Sequence, residues 1–486
     1  MNYKMMGRVI ALILTIEALF LIPPMLISLY DADYGAMRAF LWTIGILCVL
    51  IAALFFLCAK AKKGFYAREG MVCVGLSWIL LSLIGCLPFY ISREIPSFID
   101  AFFEIVSGFT TTGASILTNV EALSRGMLFW RSFSHWVGGM GVLVFLLAVA
   151  PISDKNEGFT MHLLRAESPG PNVGKLVPRM KKTARILYLL YVLLTVADVI
   201  FLLCGSMPLF DALCTAFGTA GTGGFGIWNS SMADYSPYLQ NVTTVFMLLF
   251  GVNFGCFYLI LLGQIGSVLR DEELRLYLGL FVLATVLIVW DLRGYYDTFG
   301  ETLRHASFQV SSIMTTTGFA TTDFDQWPSF SKAIIVCLMV AGACAGSTGG
   351  GLKCGRILLL GKALRRNLRH SLNPKRVEVI RNNGLPVDER IVTTTGAYLI
   401  AYVAIILVSY LLISLDGFSS TTSFTAVLSC FNNIGPGLEG VGPTCNFAAF
   451  SGGAKLLLIA DMLAGRLEVY PMLVLFSGNT WRKKGL

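Results

Sequence analysis

Four short polar stretches interrupt an otherwise apolar chain: Thr110-Thr111-Thr112-Gly113-Ala114-Ser115, Ala220-Gly221-Thr222-Gly223-Gly224-Phe225, Thr315-Thr316-Thr317-Gly318-Phe319-Ala320 and Asn432-Asn433-Ile434-Gly435-Pro436-Gly437. Glycine lets a backbone turn its carbonyls inward. A monovalent cation that sheds its water needs a ring of oxygens in place of the hydration shell, and carbonyls with threonine hydroxyls beside them supply one. The chemistry on offer is therefore coordination of a dehydrated cation, with no bond made or broken. A single Thr-Thr-Thr-Gly is equally well a polar turn. Four copies, taken at Gly113, Gly223, Gly318 and Gly435 and separated by 110, 95 and 117 residues, favour a shared role.

Such loops need elements to hold them, and composition says which. The 486 residues are 55% hydrophobic and 14% charged, whereas soluble chains run nearer ~45–50% apolar and ~25% charged. The chain is membrane-embedded, with no room for a large soluble domain. Gly7–Tyr30 and Ala36–Ala59 read as an opening helical hairpin within residues 1–66, kinked at Pro23-Pro24. Four units follow, at 67–160, 161–270, 271–372 and 373–486. Each begins with a long apolar span: Met71–Ile91, Ile186–Cys204, Leu274–Leu292 and Ile391–Leu415. Next comes a short segment, Ser97–Thr110, Pro208–Phe217, Thr302–Met314 or Ser419–Ser429, too short to cross about 30 Å of hydrocarbon and so re-entrant. After the glycine loop a span returns: Met127–Ala150, Tyr238–Gly266, Trp327–Leu360 and Ser451–Ser477.

Non-helical backbone at membrane depth survives only when buried in protein or lining a watery cavity. Four such loops satisfy one another best around a common axis. The expected fold is an all-α polytopic membrane protein, an N-terminal hairpin plus four span–pore-loop–span repeats in pseudo-fourfold arrangement around one ion pore. Each short helix points its carbonyl end, with its partial negative charge, toward that axis.

The net charge of +8 has a topological reading rather than a nucleic-acid one. Lys4/Arg8, Lys60 to Arg68, Lys155 to Arg185, Arg270/Arg275, Lys353 to Arg390 and Arg482 to Lys484 alternate with acidic loops. The positive-inside rule puts these clusters, and both termini, in the cytoplasm. Twelve cysteines without a C-x-x-C pair read as buried hydrophobes, Cys430 and Cys445 being the one conceivable disulfide. His135, His162, His305 and His370 have no metal-ligand spacing, and no Ser-His pairing or acidic cluster suggests an enzyme. No Walker or Gly-x-Gly-x-x-Gly motif offers a nucleotide site. A secondary transporter of another cation or small solute, built on broken helices, is the alternative, but that design commonly uses inverted repeats, and the four units here share one orientation.

The four loops resemble the filter loops of the Trk/Ktr/HKT superfamily of potassium transporters, and the resemblance covers essentially the whole chain. The extra hairpin is similar to the longer bacterial Trk branch. What this implies is potassium uptake from periplasm to cytoplasm across the bacterial inner membrane. The filter glycines would be Gly113, Gly223, Gly318 and Gly435, flanked by Thr111, Thr112, Thr222, Thr316, Thr317, Asn433 and Ile434. Asn433-Ile434 depart from the paired threonines of the first and third loops. The resemblance also implies a homodimer and a cytosolic nucleotide-binding regulatory subunit, with potassium as the transported substrate and no organic cofactor. Channel-like flux and proton symport are both compatible with it.

Trp327–Leu360 is too long for one straight span, and its middle, Ala341-Gly342-Ala343-Cys344-Ala345-Gly346-Ser347-Thr348-Gly349-Gly350-Gly351, should break it. This stretch resembles the family's intramembrane gate loop below the filter; small-residue helix packing is the other reading. Arg466, inside the last span, resembles the family's pore-lining basic residue, and pairing with Asp461 or Glu468 is its structural alternative. Arg131, Lys332 and Lys455 read as interfacial anchors or partners of Glu104, Asp211 or Glu301. Lys353–Arg390 reads as a positive-inside signal or a docking surface. Glu17 and Asp198 also fall within spans.

Overall fold

The computed structural model describes residues 1–59, 67–139, 141 and 180–481. The end of the expected span Met127–Ala150, the boundary after residue 160, His162, Lys60, Lys62, Lys63, the cluster from Lys155 to residue 179 and Arg482 to Lys484 lie outside the described residues.

Helices α1 (Tyr3–Phe20) and α2 (Ile22–Tyr30) form one apolar span interrupted at Leu21, with Pro23 and Pro24 in the opening turn of α2, where a missing N–H leaves no bond unmade. Asp33 accepts from the N–H groups of Gly35 and Ala36 and starts α3 (Tyr34–Leu57). This hairpin packs on α4 (Ala67–Gly85) and on α7 (Arg125–Gly139). Between those two lie α5 (Leu87–Ser92) and the short α6 (Phe98–Phe109). The chain then runs through α8 (Met180–Cys204), α9 (Leu209–Gly221), α10 (Pro237–Phe250), α11 (Phe254–Leu261) and α12 (Ile265–Leu269). Next come α13 (Glu272–Asp291), α14 (Phe299–Met314), α15 (Ser329–Val340), α16 (Cys354–Leu372) and a small antiparallel hairpin, β1 (Arg381–Asn382) with β2 (Leu385–Pro386). The chain closes with α17 (Glu389–Ile413), α18 (Ser420–Asn432), α19 (Gly452–Arg466), α20 (Tyr470–Phe476) and α21 (Gly478–Trp481). Apart from that hairpin and one isolated bridge, the described residues are helical or irregular, and six helices, or seven counting one bent pair, are long and apolar enough to cross a membrane.

The short helices α6, α9, α14 and α18 have 12, 13, 16 and 13 residues, roughly 18–24 Å at 1.5 Å per residue. Ser97, Thr298 and Ser419 start three of them by accepting an N–H from the first turn, satisfying a donor the helix itself cannot pair. These helices are almost wholly buried at their C-terminal ends, whereas α8, α13 and α17 expose Leu193, Ile200, Val282, Val286, Leu407 and Leu411. Short helices inside and long ones with apolar outer faces are the layering that a lipid solvent favours.

Two expected straight spans are broken. Tyr238–Gly266 divides into α10 and α11, which meet at 89°. Gly251 lies so close to the Tyr277 hydroxyl and Thr315 that a side chain would collide, and Asn253 caps the new helix by accepting the Gly255 N–H at 2.7 Å. Ser451–Ser477 divides at Leu467-Glu468-Val469, where Glu468 and Val469 take φ of 54° and 68° ahead of Pro471. The expected break in Trp327–Leu360 is present and spans Ala341 to Lys353. Cys430 and Cys445 are free thiols.

Candidate functional site

All four short helices end in the same way. Thr111, Thr222, Thr316 and Asn433 take left-handed φ of 55°, 53°, 59° and 57°. The next residue in each case, Thr112, Gly223, Thr317 or Ile434, donates its N–H back to Ser107, Gly218, Ser312 or Ser429, at 2.8 to 3.0 Å. This is the Schellman closure of a helix. One residue further on, Gly113, Gly224, Gly318 and Gly435 have φ of 78°, 75°, 86° and 103°.

That pattern changes the register of the second loop. The conformational equivalent of Gly113, Gly318 and Gly435 is Gly224; Gly223 matches Thr112, Thr317 and Ile434. The alignment Gly224-Phe225 with Gly318-Phe319 is the sequence signal for it.

The loops close a circuit. A side chain on Gly113 would strike the Gly223 carbonyl oxygen, one on Gly224 that of Thr317, one on Gly318 that of Ile434, and one on Gly435 would stand 2.9 Å from that of Thr112. The oxygens come from the same position in every loop, and the contacts run first to second to third to fourth and back to first. Glycine is required because neighbouring backbones approach within the volume of a methyl group.

Side chains behind the ring hold its parts together. His135 Nδ1 lies 2.8 Å from the Gly108 carbonyl, so it donates, and Nε2 accepts the Phe225 N–H at 3.2 Å. The ring is thereby a neutral tautomer tying α6 to the second loop. Arg131 Nε donates to Glu104 at 2.6 Å, its Nη1 donates to the Gly226 carbonyl at 2.8 Å, and its guanidinium stacks 3.6 Å over Phe225. Glu104 also accepts from the Ser115 hydroxyl and the Ile116 N–H at 2.9 Å each. Asn433 Nδ2 donates to Thr112 Oγ1 and to the Met462 carbonyl, both at 3.0 Å, joining fourth loop to first.

Directly against the third and fourth loops lies the glycine-rich segment. The Gly350 N–H donates to Thr316 Oγ1 at 2.6 Å, and side chains on Gly349 or Gly350 would meet the carbonyls of Thr315 and Asn432. Its other side rests on the α10–α11 break: Cys344 N–H donates to Gly251 O at 3.0 Å and Phe254 N–H to Gly346 O at 3.1 Å. Arg466 donates to the Thr348 carbonyl at 2.8 Å and to the carbonyls of Gly138 and Gly139 at the end of α7. Lys353 donates to the Gly349 carbonyl. Four separate elements thus converge on Gly346–Gly351.

Of the alternative partners for Arg466, Glu468 pairs with Arg356, whose guanidinium stacks 4.1 Å from Tyr398, and Asp461 accepts from the Ser409 hydroxyl at 2.8 Å. The basic block therefore begins inside the protein, with Lys353 and Arg356, and only its later members face outward. Arg131 pairs with Glu104 as expected. Lys455 pairs instead with Asp100 at 2.6 Å, and Lys332 donates to the Asp325 carbonyl at 2.9 Å. Glu17 and Asp198 are fully buried. At the exposed end beyond the fourth loop, a hydrogen bond from Ser419 holds the Glu439 carboxyl below the usual carboxylate range, so its negative charge persists near the loop. Among the described residues no His, Cys, Asp and Glu cluster has the makings of a multivalent metal site. Sequence reasoning missed Gly224, the scaffold role of His135, and Glu273, whose carboxylate accepts the N–H groups of Ala345 and Gly355.

The chain matches the family described as TrkH, cation transport protein, over residues 36–291 and 297–483. It is 38% identical to the Trk system potassium uptake protein TrkH of Salmonella typhimurium, covering 99% of this chain and all of the relative. Identity to the Trk system potassium uptake protein TrkG of Escherichia coli is 33%, over 96% of both chains. The crystal structure of the potassium transporter TrkH from Vibrio parahaemolyticus superimposes with a TM-score of 0.88 at 32% identity, covering 99% of this chain and 100% of that one.

Proposed function

The chain belongs to the TrkH family of cation transport proteins, and from that premise we propose that it takes up potassium ions through the ring of four loops, with Gly346–Gly351 and Arg466 as the gate beneath. The observation that carries this reading is the closed circuit in which Gly113, Gly224, Gly318 and Gly435 each abut a carbonyl of the next loop, those of Gly223, Thr317, Ile434 and Thr112 in turn. Oxygens presented at one level by four loops replace the hydration shell of a monovalent cation. The carbonyl ends of α6, α9, α14 and α18 add their partial negative charge. The four units lie in pseudo-fourfold arrangement around this single pore, at a level where open backbone must line a cavity.

Below the ring, the ammonium of Lys353 and the guanidinium of Arg466 occupy carbonyls of the glycine-rich segment. An ion leaving the ring meets two fixed positive charges and a backbone plug. Conduction requires that segment to move. The reading includes a multi-pass protein of the bacterial inner membrane with both termini cytoplasmic, a homodimer, and a cytosolic nucleotide-binding regulatory subunit docking on the outward part of the Lys353–Arg390 block.

Reconstitution in proteoliposomes with opposed potassium and sodium gradients, with and without a pH gradient, tests the reading. Potassium flux down its own gradient is the expected result. Flux that follows the pH gradient would identify proton symport, and vesicles that move no potassium would refute the proposal.

A further inference from the structure

The glycine-rich segment has two ends, and one carboxylate holds both. Glu273, buried in the first turn of α13, accepts the N–H of Ala345 at 2.6 Å and that of Gly355 at 2.8 Å through the same oxygen. Ala345 immediately precedes Gly346–Gly351, and Gly355 opens α16 just after it. The base is braced further by the Ala341–Leu352 bridge and by the Cys354 N–H donating to the Ala343 carbonyl at 3.1 Å. A single oxygen of Glu273 thus ties the residue before the segment to the helix that follows it.

The residues just before Glu273 reach the other way. Asp271 caps α13 by accepting the Leu274 N–H at 2.9 Å. At the tip of the β1–β2 hairpin, Asn383 accepts the Glu272 N–H at 2.9 Å and donates to Asp271 Oδ2 at 2.7 Å. Lys362 pairs with Glu272 and donates to the Arg381 carbonyl at 2.7 Å. Asn383 and Gly384 take φ of 50° and 76°, the rigid two-residue turn favoured by Asn-Gly. An exposed hairpin is thus fastened to the helix end that fastens the segment.

We propose that Glu273 is a positioning residue pinning both ends of the gate, and that Asn383 is the handle through which the exposed hairpin biases it. The inference rests on the reading of Gly346–Gly351 as the gate. Its two states are the pins engaged, as seen, and the pins released after the start of α13 shifts. Coupling then needs only a short displacement carried through Asp271, Glu272 and Glu273, because the donors and acceptors are in direct contact.

The full chain in proteoliposomes, read by potassium flux, tests this. Glu273→Ala should raise flux about tenfold, equivalent to ~1.4 kcal/mol in the gate equilibrium. Glu273→Gln retains the accepting oxygen and should stay within about threefold of the parent. Asn383→Ala should raise flux about threefold, and the double variant should be no faster than Glu273→Ala alone. Deletion of Gly346–Gly351 is the control: if it fails to raise flux, the gate reading falls. If it raises flux and Glu273→Ala does not, only the pinning role is overturned. Full additivity of the two single changes would overturn the handle. Amide exchange over residues 343–356 in Asn383→Ala gives a second readout in a variant altered only at the surface. Faster exchange is expected, and an unchanged rate counts against the handle.

Discussion

The hydroxyl oxygen of Thr316 accepts a hydrogen bond of 2.6 Å from the backbone N–H of Gly350. The third loop of the ring and the segment beneath it are therefore in direct contact. Thr316 is also the residue that takes the left-handed conformation at the end of α14, so one side chain belongs to both parts of the proposed pathway.

Thr316→Val keeps the shape and β-branching of the side chain but removes the acceptor. Loss of one neutral hydrogen bond, about 0.5–1.5 kcal/mol, should raise potassium flux roughly two- to tenfold. Thr316→Ser should behave as the parent. Both are read in proteoliposomes, and equal flux in the Val and Ser variants would show that this bond does not restrain the segment.

Among the described residues, Arg466 reaches the carbonyls of Thr348, Gly138 and Gly139, which lie on two elements. A guanidinium fork can span them, and a lysine ammonium acts as a single compact charge. Arg466→Ala should therefore raise initial rates of potassium uptake by about tenfold or more. Arg466→Lys should lie between parent and Ala. A Lys variant with fully parental rates would reduce the role of Arg466 to charge alone.

At the second loop the two glycines should respond differently. A methyl on Gly224 meets the backbone carbonyl of Thr317, and one on Gly223 meets the His135 side chain. Gly224→Ala should reduce uptake about a hundredfold, ~2.7 kcal/mol, with no side-chain change able to restore it. His135→Ser should recover part of the defect of Gly223→Ala by making room. Growth of a potassium-uptake-deficient strain on limiting potassium separates the two, and a parental rate for Gly224→Ala would contradict the register.

The Glu104–Arg131 pair is buried, with side chains 1% and 3% exposed. Removing one partner strands the other charge and should cost about 3–5 kcal/mol. Glu104→Ala or Arg131→Ala should lower the midpoint of thermal unfolding in detergent more than the double change to Met at both positions does. The reverse order would mean that the pair stabilises the fold beyond satisfying its own burial.

Much of this arrangement could be read along the chain. The short helices follow from segments too short to cross a bilayer, two of them opening at the capping residues Ser97 and Ser419, whereas the third starts at Phe299 behind Thr298, three residues before the expected Thr302. The break at Ala341–Lys353 follows from its glycines, and the loops from their glycines and threonines. The breaks at Gly251-Val252-Asn253 and Leu467-Glu468-Val469 were less legible, because Gly251 yields to a tyrosine on another helix and a proline in an apolar run does not by itself end a span.

The sequence by itself determined the membrane class of the protein, the alternation of long apolar spans with short helices and the residue types its loops present, since these depend on local hydrophobicity, segment length and backbone freedom. Tertiary structure alone decided that Gly224 rather than Gly223 takes the glycine position of the ring, that Arg466 holds the carbonyls of Thr348, Gly138 and Gly139, and that Glu273 grips both ends of the glycine-rich segment. Each of these depends on which groups meet across residues far apart in the chain. A carbonyl or an N–H is the same in every residue, so its partner is set by the packing that brings two backbones together.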